Sequence, residues 1–241
     1  MAEGSRPLDG QLALVTGASR GIGAATAKAL AAKGAHVILV ARTAKDLEKV
    51  EEDIFAAGGS ATIAPVDLAE PDGIARLATA ISGRWDALDI MVINAAVLPV
   101  LTPVWQIEQR DFMRGLTLNV LATQALIAGF DKMLKKSKDA RVIGVTSSVG
   151  ASPRAYWAAY GSSKAAFDNL LDCYAQEVRA ISNVRFAVVD PGATRTAMRA
   201  KAYPGEDPQT VKEPEVVAER IAALVCEPFS TPHRERVNQP G

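Results

Sequence analysis

The sequence predicts a single doubly wound α/β domain, a parallel sheet of about seven strands with helices on both faces. Three observations carry that expectation. Short apolar runs rich in Val and Ile alternate along the chain with longer, Ala-rich segments of helical character. The runs are nearly continuous in apolar residues, which suits parallel strands buried on both faces. A cluster of glycines then separates the first run from the first helical segment, where a tight turn must lead from strand into helix.

Taken in order, residues 12–16 read as the first strand and 22–33 as a helix. Residues 36–40 form the second strand, followed by a helix over 44–57. Strands three and four are expected at 61–66 and 89–93, with a helix over 72–82 between them. One long helical stretch should cover 106–134, and strand five 141–146. A second long helix is expected over 158–180, then a sixth strand at 184–189. Residues 195–213 break the rhythm with Pro204, Gly205, Pro208 and several charges. A loop of that length in a compact domain is usually functional. The last helix lies near 215–226, and 227–241 read as irregular, with at most one short strand near Arg236 and Val237.

Bulk properties narrow the function classes. A chain of 241 residues is enough for one substantial domain and short for two. Lys and Arg total 27, as do Asp and Glu, so the formal net charge is zero. That argues against a general polyanion binder, and no nucleic-acid partner is expected. Residues 1–10 are polar and carry no apolar stretch resembling a secretion signal. No window approaches the roughly 18 to 20 apolar residues needed to cross a bilayer. The expectation is a cytoplasmic protein with no membrane partner. Cys173 and Cys226 stand in no metal-like spacing, so no metal is expected, and Cys173 reads as a buried thiol within a helix.

The sharpest motif is Thr16-Gly17-Ala18-Ser19-Arg20-Gly21-Ile22-Gly23, between the first strand and the first helix. Glycines allow the turn and let the backbone approach a pyrophosphate. The helix start offers that anion free N–H groups and a positive dipole end. A simple strand-to-helix turn would need no such pattern. The spacing G-x-x-x-G-x-G lacks the Gly-Lys-Ser/Thr ending of a nucleotide-triphosphate loop, which speaks against an NTPase. Here the chain resembles the short-chain dehydrogenase/reductase family, whose hallmark is T-G-x-x-x-G-x-G on a Rossmann-type fold. The resemblance implies that Gly17, Ser19, Arg20, Gly21, Ile22 and Gly23 contact a dinucleotide.

Which nicotinamide cofactor is favoured follows from the end of the second strand. NAD-selective sites normally place an acid there for the ribose hydroxyls. This chain reads Val40-Ala41-Arg42-Thr43, with no acid. Arg42 can fork onto a 2′-phosphate, and Arg20 would add a second cation. In the family, basic residues at these places go with NADP, so NADP(H) is expected, with Arg42 and Thr43 in contact with it. Asp67 and Leu68 resemble the family's adenine-contacting positions, although an acid there could equally cap the next helix. Asn94 and Ala95 match the family's Asn-Asn-Ala-Gly element, whereas Ile93 and Ala96 depart from it. Ala in place of that glycine is tolerable only where φ is negative.

Tyr160 and Lys164 stand four residues apart, so they share one helical face. A free tyrosine titrates at about 10, and a nearby ammonium together with an oxidised nicotinamide ring would favour its phenolate. Such a group exchanges a proton with an alcohol or carbonyl oxygen. Ser147 lies thirteen residues before Tyr160 and three before Gly150, the positions the family gives its catalytic serine, with Ser148 as the fallback. The resemblance further implies that Asn119 holds a water linking Lys164 to solvent. It also implies that Pro191, Gly192, Thr194 and Thr196 bind the nicotinamide carboxamide. The matching motifs run in order from residue 16 to residue 196.

The expected function is hydride transfer between NADP(H) and a carbonyl or alcohol, with carbonyl reduction the favoured direction. The alternative is a dinucleotide-binding sensor or scaffold without turnover, against which the filled tetrad counts. An enoyl reductase would want a wider Tyr–Lys spacing, and an extended-type epimerase a longer chain. The segment 198–204 is similar to uncharacterised bacterial oxidoreductases related to 3-oxoacyl-carrier-protein reductases. Its Arg199 and Lys201 read as solvated charges, or else as contacts for an anionic substrate. Leu98, Val100, Tyr156 and Trp157 are expected to shape a small-molecule pocket. The resemblance implies a homodimer or homotetramer built on the two long helices.

Overall fold

The computed structural model describes residues 6–238, so the expectations for 1–5 and 239–241 lie outside them. Seven strands are present: β1 Leu12–Thr16, β2 His36–Ala41, β3 Ser60–Pro65, β4 Ile90–Ile93, β5 Ala140–Val145, β6 Val184–Asp190 and β7 His233–Arg236. They form one sheet in the order β3-β2-β1-β4-β5-β6-β7, with every pair parallel. The chain runs outward from β1 to β3, then returns to β4 on the other side of β1. That reversal is the switch point at which folds of this kind open a crevice.

Alternate residues of β1, β2, β4, β5 and β6 feed two cores. Ala13 and Val15 of β1, Val37 and Leu39 of β2 and Val92 of β4 face one core. It is completed by α1 Gly21–Ala32, α2 Ala44–Ala56 and α8 Pro214–Cys226. Leu12 and Leu14, Ile38 and Val40, Met91 and Ile93 face the other. Residues of α3 Gly73–Ser82, α5 Ala122–Lys136 and α6 Ala158–Val178 close that side. Because both faces are covered, the strands carry apolar residues at successive positions, the pattern seen in the sequence.

Four expectations need correction. The single helix over 106–134 is four pieces: a 3-10 turn Val104–Gln106, α4 Gln109–Leu116, a π turn Thr117–Leu121, and α5. A π turn takes one residue more than an α turn, and at a functional position it redirects a side chain. The segment 195–213 is not all loop. It contains α7 Ala197–Ala202, whose first turn is capped by the Thr196 hydroxyl accepting from the Arg199 N–H at 3.1 Å. Cys173 is exposed, not buried, because the inward face of α6 is taken by Tyr160, Lys164, Phe167, Leu171 and Tyr174. The last strand spans His233–Arg236, starting three residues and ending one residue earlier than expected. Among the described residues no helix is long and apolar enough to cross a membrane, and no cluster of metal-ligating side chains occurs.

Candidate active site

The C-terminal ends of β1 and β4 are tied together through Thr16. Its buried hydroxyl donates to the Val92 carbonyl at 3.3 Å and accepts the N–H groups of Asn94 and Ala95 at 3.0 and 3.1 Å. The Asn94 amide donates back to the Thr16 carbonyl at 2.9 Å. Over this knot Gly17 takes a left-handed φ of 67°, and a methyl group on it would lie 2.9 Å from Asn94 Nδ2. A methyl on Gly23 would overlap the Gly17 carbonyl oxygen and stand 2.6 Å from the same amide. The loop is therefore packed backbone against backbone. Asn94 serves first as a wall of the glycine turn, and Ala96, among residues with negative φ, sits without strain where the family pattern has glycine.

This cradle fits a dinucleotide. No side chain caps the first turn of α1 and no acidic residue lies in it, so its leading amides are open to an anion. A methyl on Gly21 would touch Thr196 Cγ2 at 3.4 Å, which places residues 191–196 across from the glycine loop. Arg20, in the loop, and Arg42 and Thr43, after β2, are exposed; neither arginine joins an ion pair among the described residues. The Ala18 N–H donates to the Val40 carbonyl at 3.1 Å and the Val66 N–H to the Ala41 carbonyl at 2.8 Å. These bonds bring the loop, the end of β2 and the Asp67 turn together. Asp67 does not cap a helix: its Oδ1 accepts from the Ala69 N–H at 3.0 Å, closing a local turn beside buried Leu68.

Tyr160 and Lys164 occupy adjacent turns of the inner face of α6, and both are buried. The Lys164 ammonium donates to the Val145 carbonyl at the end of β5, at 2.8 Å, and lies 4.4 Å from the Phe167 ring centre. Burial lowers its pKa to about 8, opposed by the negative charge of Asp168 one turn further on. Burial also raises the Tyr160 phenol, helped by the charges of Asp190 and Asp168. In the protein without nucleotide, desolvation is the largest influence on the phenol and favours its protonated form.

Asn119 is buried within the π turn. Its Oδ1 accepts from the Val97 N–H at 2.9 Å, while its Nδ2 donates to the Val97 carbonyl at 3.0 Å and to Ser163 Oγ at 2.9 Å. Ser163 in turn donates to the Tyr160 carbonyl at 2.7 Å. The amide therefore locks the exit of β4 to the helix that carries Tyr160. Ser147, half-buried, follows β5 with an extended backbone, and Ser148 begins the 3-10 turn Ser148–Gly150 that packs on α6. Val149 of that turn joins Leu98 and Tyr160 in a small apolar cluster, with Leu101, Trp157, Met198 and Ala202 against it.

The segment after β6 lies over this cluster. The Gly192 N–H donates to Asp190 Oδ1 at 2.9 Å, and the Thr194 hydroxyl donates to the Pro191 carbonyl at 3.0 Å. Lys212 donates to the Ala193 carbonyl at 2.9 Å, fixing the turn from its far end. Met198 of α7 brings its sulfur to 3.9 Å from the Tyr160 hydroxyl. Arg199, half-buried, pairs with Glu206 through two hydrogen bonds and stacks 3.7 Å from the Tyr203 ring centre. Lys201 donates to the Leu98 carbonyl at 3.2 Å. Sequence reasoning missed Met198, Leu101, Val149 and Ala202 as walls of the cluster. The one signal that could have found Met198 was Thr196 followed by Ala-Met-Arg-Ala, a cap ahead of good helix formers.

Comparison with known proteins now bears on this geometry. The short chain dehydrogenase family model matches residues 11–207. An uncharacterized oxidoreductase of Escherichia coli K12, YciK, is 34% identical over 210 residues, covering 86% of this chain and 82% of its own. A candidate short chain dehydrogenase from Pseudomonas syringae superposes with a TM-score of 0.92 at 36% identity, over 98% of this chain and 97% of that one. Another, from Shigella flexneri 2a and solved in complex with NADP, gives 0.86 at 33% identity over 92% and 93% of the two chains. A family match spanning residues 11–207 and relatives above 30% identity across most of the sequence leave one assignment: the chain belongs to the short-chain dehydrogenase/reductase family.

Proposed function

We propose that the chain is an NADP(H)-dependent oxidoreductase that interconverts a carbonyl and an alcohol, with Tyr160 as general acid and base. The observation that carries this reading is the buried Tyr160–Lys164 pair, whose phenol opens onto an apolar cluster closed by Met198. In this reading Gly17, Ser19, Arg20, Gly21, Ile22 and Gly23 hold the pyrophosphate, while Asp67, Leu68, Asn94 and Ala95 line the adenosine side. Arg42 and Thr43 meet the 2′-phosphate. Pro191, Gly192, Thr194 and Thr196 orient the nicotinamide end. The choice of NADP(H) rests on the two unpaired arginines, on the lack of an acid after β2, and on the NADP held by the Shigella neighbour.

NADPH, when bound, supplies the hydride. The chain supplies the proton and the setting for it. Tyr160 keeps its proton at neutral pH, so it enters carbonyl reduction as an acid, passing that proton to the oxygen as the carbon gains its hydride. The phenolate left behind is stabilised by the Lys164 ammonium one turn away. Ser147 donates a hydrogen bond to the same substrate oxygen, where charge develops. Asn119 keeps α6 fixed to the end of β4, so the phenol stays aimed. Alcohol oxidation uses the reverse transfers.

The quaternary expectation stands as part of this proposal. Ile127, Leu170, Tyr174 and Ile181 line a groove of about 470 Å³ between α5 and α6. A symmetric homodimer or homotetramer would cover it. The testing experiment compares wild type and Tyr160→Phe. Thermal stabilisation by NADPH should persist in the variant, while NADPH-coupled ketone reduction falls by about 10² to 10⁴. Equal turnover in the two proteins, or no stabilisation by NADPH in either, overturns the reading. Stabilisation without turnover in wild type leaves a binding protein instead.

A further inference from the structure

We infer that the substrate is an uncharged carbonyl compound with an extended apolar tail, received along the strip from Leu98, Leu101 and Trp157 to Val104, Trp105 and Tyr156. The inference rests on the reaction proposed above and deepens it by naming a substrate class. The side chains packed against the phenol are apolar. Leu98 and Val149 are buried with it, and Leu101, Trp157, Met198 and Ala202 complete the wall. The Met198 thioether, 3.9 Å from the Tyr160 hydroxyl, stands where a substrate oxygen must arrive, and a flexible side chain of that kind yields readily.

The cations beside the cluster already have partners. Arg199 is held by Glu206 and by the face of Tyr203, and Arg195 is paired with Glu213. Lys201 points to the Leu98 carbonyl, and Arg154 to the Tyr203 hydroxyl at 3.4 Å. A carboxylate or phosphate on the substrate would have to displace these contacts. An uncharged chain displaces none.

The outer half of the strip is open to solvent. Val100, Val104, Trp105 and Tyr156 are 60%, 67%, 83% and 59% exposed, half of the eight large apolar side chains that the described residues leave in solvent. Along the chain they adjoin the cluster: Val100 lies between Leu98 and Leu101, Val104 and Trp105 follow shortly after, and Tyr156 precedes Trp157. The Thr102 N–H donates to the Tyr156 carbonyl at 3.1 Å, clasping the two loops together. Val100 is further fixed by its N–H donating to Asp111 at 2.6 Å. Tyr156 adopts φ of 73°, a left-handed backbone that bulky residues rarely take, so its ring is held at the rim at a conformational cost. Clustered, restrained apolar side chains at a site mouth mark a surface that is covered in use.

The experiment uses NADPH-loaded full-length protein and a homologous series of linear methyl ketones. Expected is a kcat/KM that climbs about threefold per methylene as the tail buries surface, then levels off once the tail passes the rim. A ketone of equal length ending in a carboxylate should lose that gain. Trp105→Ala should flatten the series, lowering kcat/KM of the long members relative to that of the shortest. As a readout free of turnover, the long-chain alcohol should shift tryptophan emission to the blue in wild type but not in Trp105→Ala. Equal or better turnover of short polar carbonyls, with no chain-length slope, overturns this inference while the reaction stands. No turnover of any member in protein that still binds NADPH overturns both. A change of sedimentation mass in Trp105→Ala would assign the rim to a second copy of the chain and overturn the tail as its occupant.

Discussion

At the ends of β1 and β4 the chain is fixed through main-chain atoms, with one threonine hydroxyl and one asparagine amide joining two strands beneath a glycine turn. At the ends of β5 and β6, and in the segment over them, the work passes to side chains. There Arg199 grips Glu206, Lys212 reaches Ala193, and Met198 rests on Tyr160. The first region has almost no freedom to change shape, because a single methyl group would collide with backbone. The second consists of exchangeable contacts around apolar surface. A site that must accept one invariant ligand and one that must open for another are expected to differ in this way.

The largest expected effect tests the rigid half. Gly23→Ala forces a Cβ into the Gly17 carbonyl, and we expect a loss of about 2–3 kcal/mol in denaturant unfolding. All thermal stabilisation by NADPH should go with it. A variant that keeps both would show that the turn can relax, and the contrast would fail. Next in size, Arg42→Ala should weaken NADPH about tenfold to a hundredfold while leaving NADH unchanged, as read by titration. Equal losses for both nucleotides would place Arg42 away from the 2′-phosphate.

The dry interior between the halves gives a pH signature. Lys164 titrates at about 8 when folded, against 10.5 as its ordinary value. Between those values the unfolded chain holds the proton and the folded chain does not, so stability attributable to this residue rises with pH across that window. The stability difference between wild type and Lys164→Met should therefore move in favour of wild type from about pH 8 to about pH 10.5. A flat difference would mean that the ammonium is better solvated than its burial implies. The smallest effect belongs to the covering segment. Glu206→Gln should raise KM about twofold to threefold at constant kcat, since one partly exposed pair holds α7 in place. A fall in kcat instead would tie the pair to the chemistry.

The same contrast explains what could be read in advance. The glycine turn, Asn94 and the Tyr160–Lys164 spacing were legible because backbone geometry admits few residue types at those positions. The two-core sheet was legible because strands buried on both faces must be apolar throughout. The covering segment was not, since Pro204, Gly205 and Pro208 suggest a loop, and only the Thr196 cap betrays α7. Arg199 looked like a solvated charge because its partner, Glu206, is brought to it by tertiary structure, whereas Lys201, read the same way, is exposed. For Tyr160, spacing reveals a neighbouring charge, whereas the depth of burial that raises the phenol belongs to the whole fold.

The π turn at Thr117–Leu121 has a consequence for how one rod serves two masters. An α-helix advances about 100° per residue, so an uninterrupted helix would lock the faces of α4 and α5 into one phase. The extra residue resets that phase. α5 can then set Leu126, Phe130 and Leu134 squarely against the sheet. α4 meanwhile presents Asp111 to the Val100 amide at the rim of the substrate entrance. Asn119 sits at the point of reset, its amide gripping Val97 and Ser163. The joint thus behaves as a gear offset, transmitting the position of the core to the mouth without imposing the core's periodicity on it.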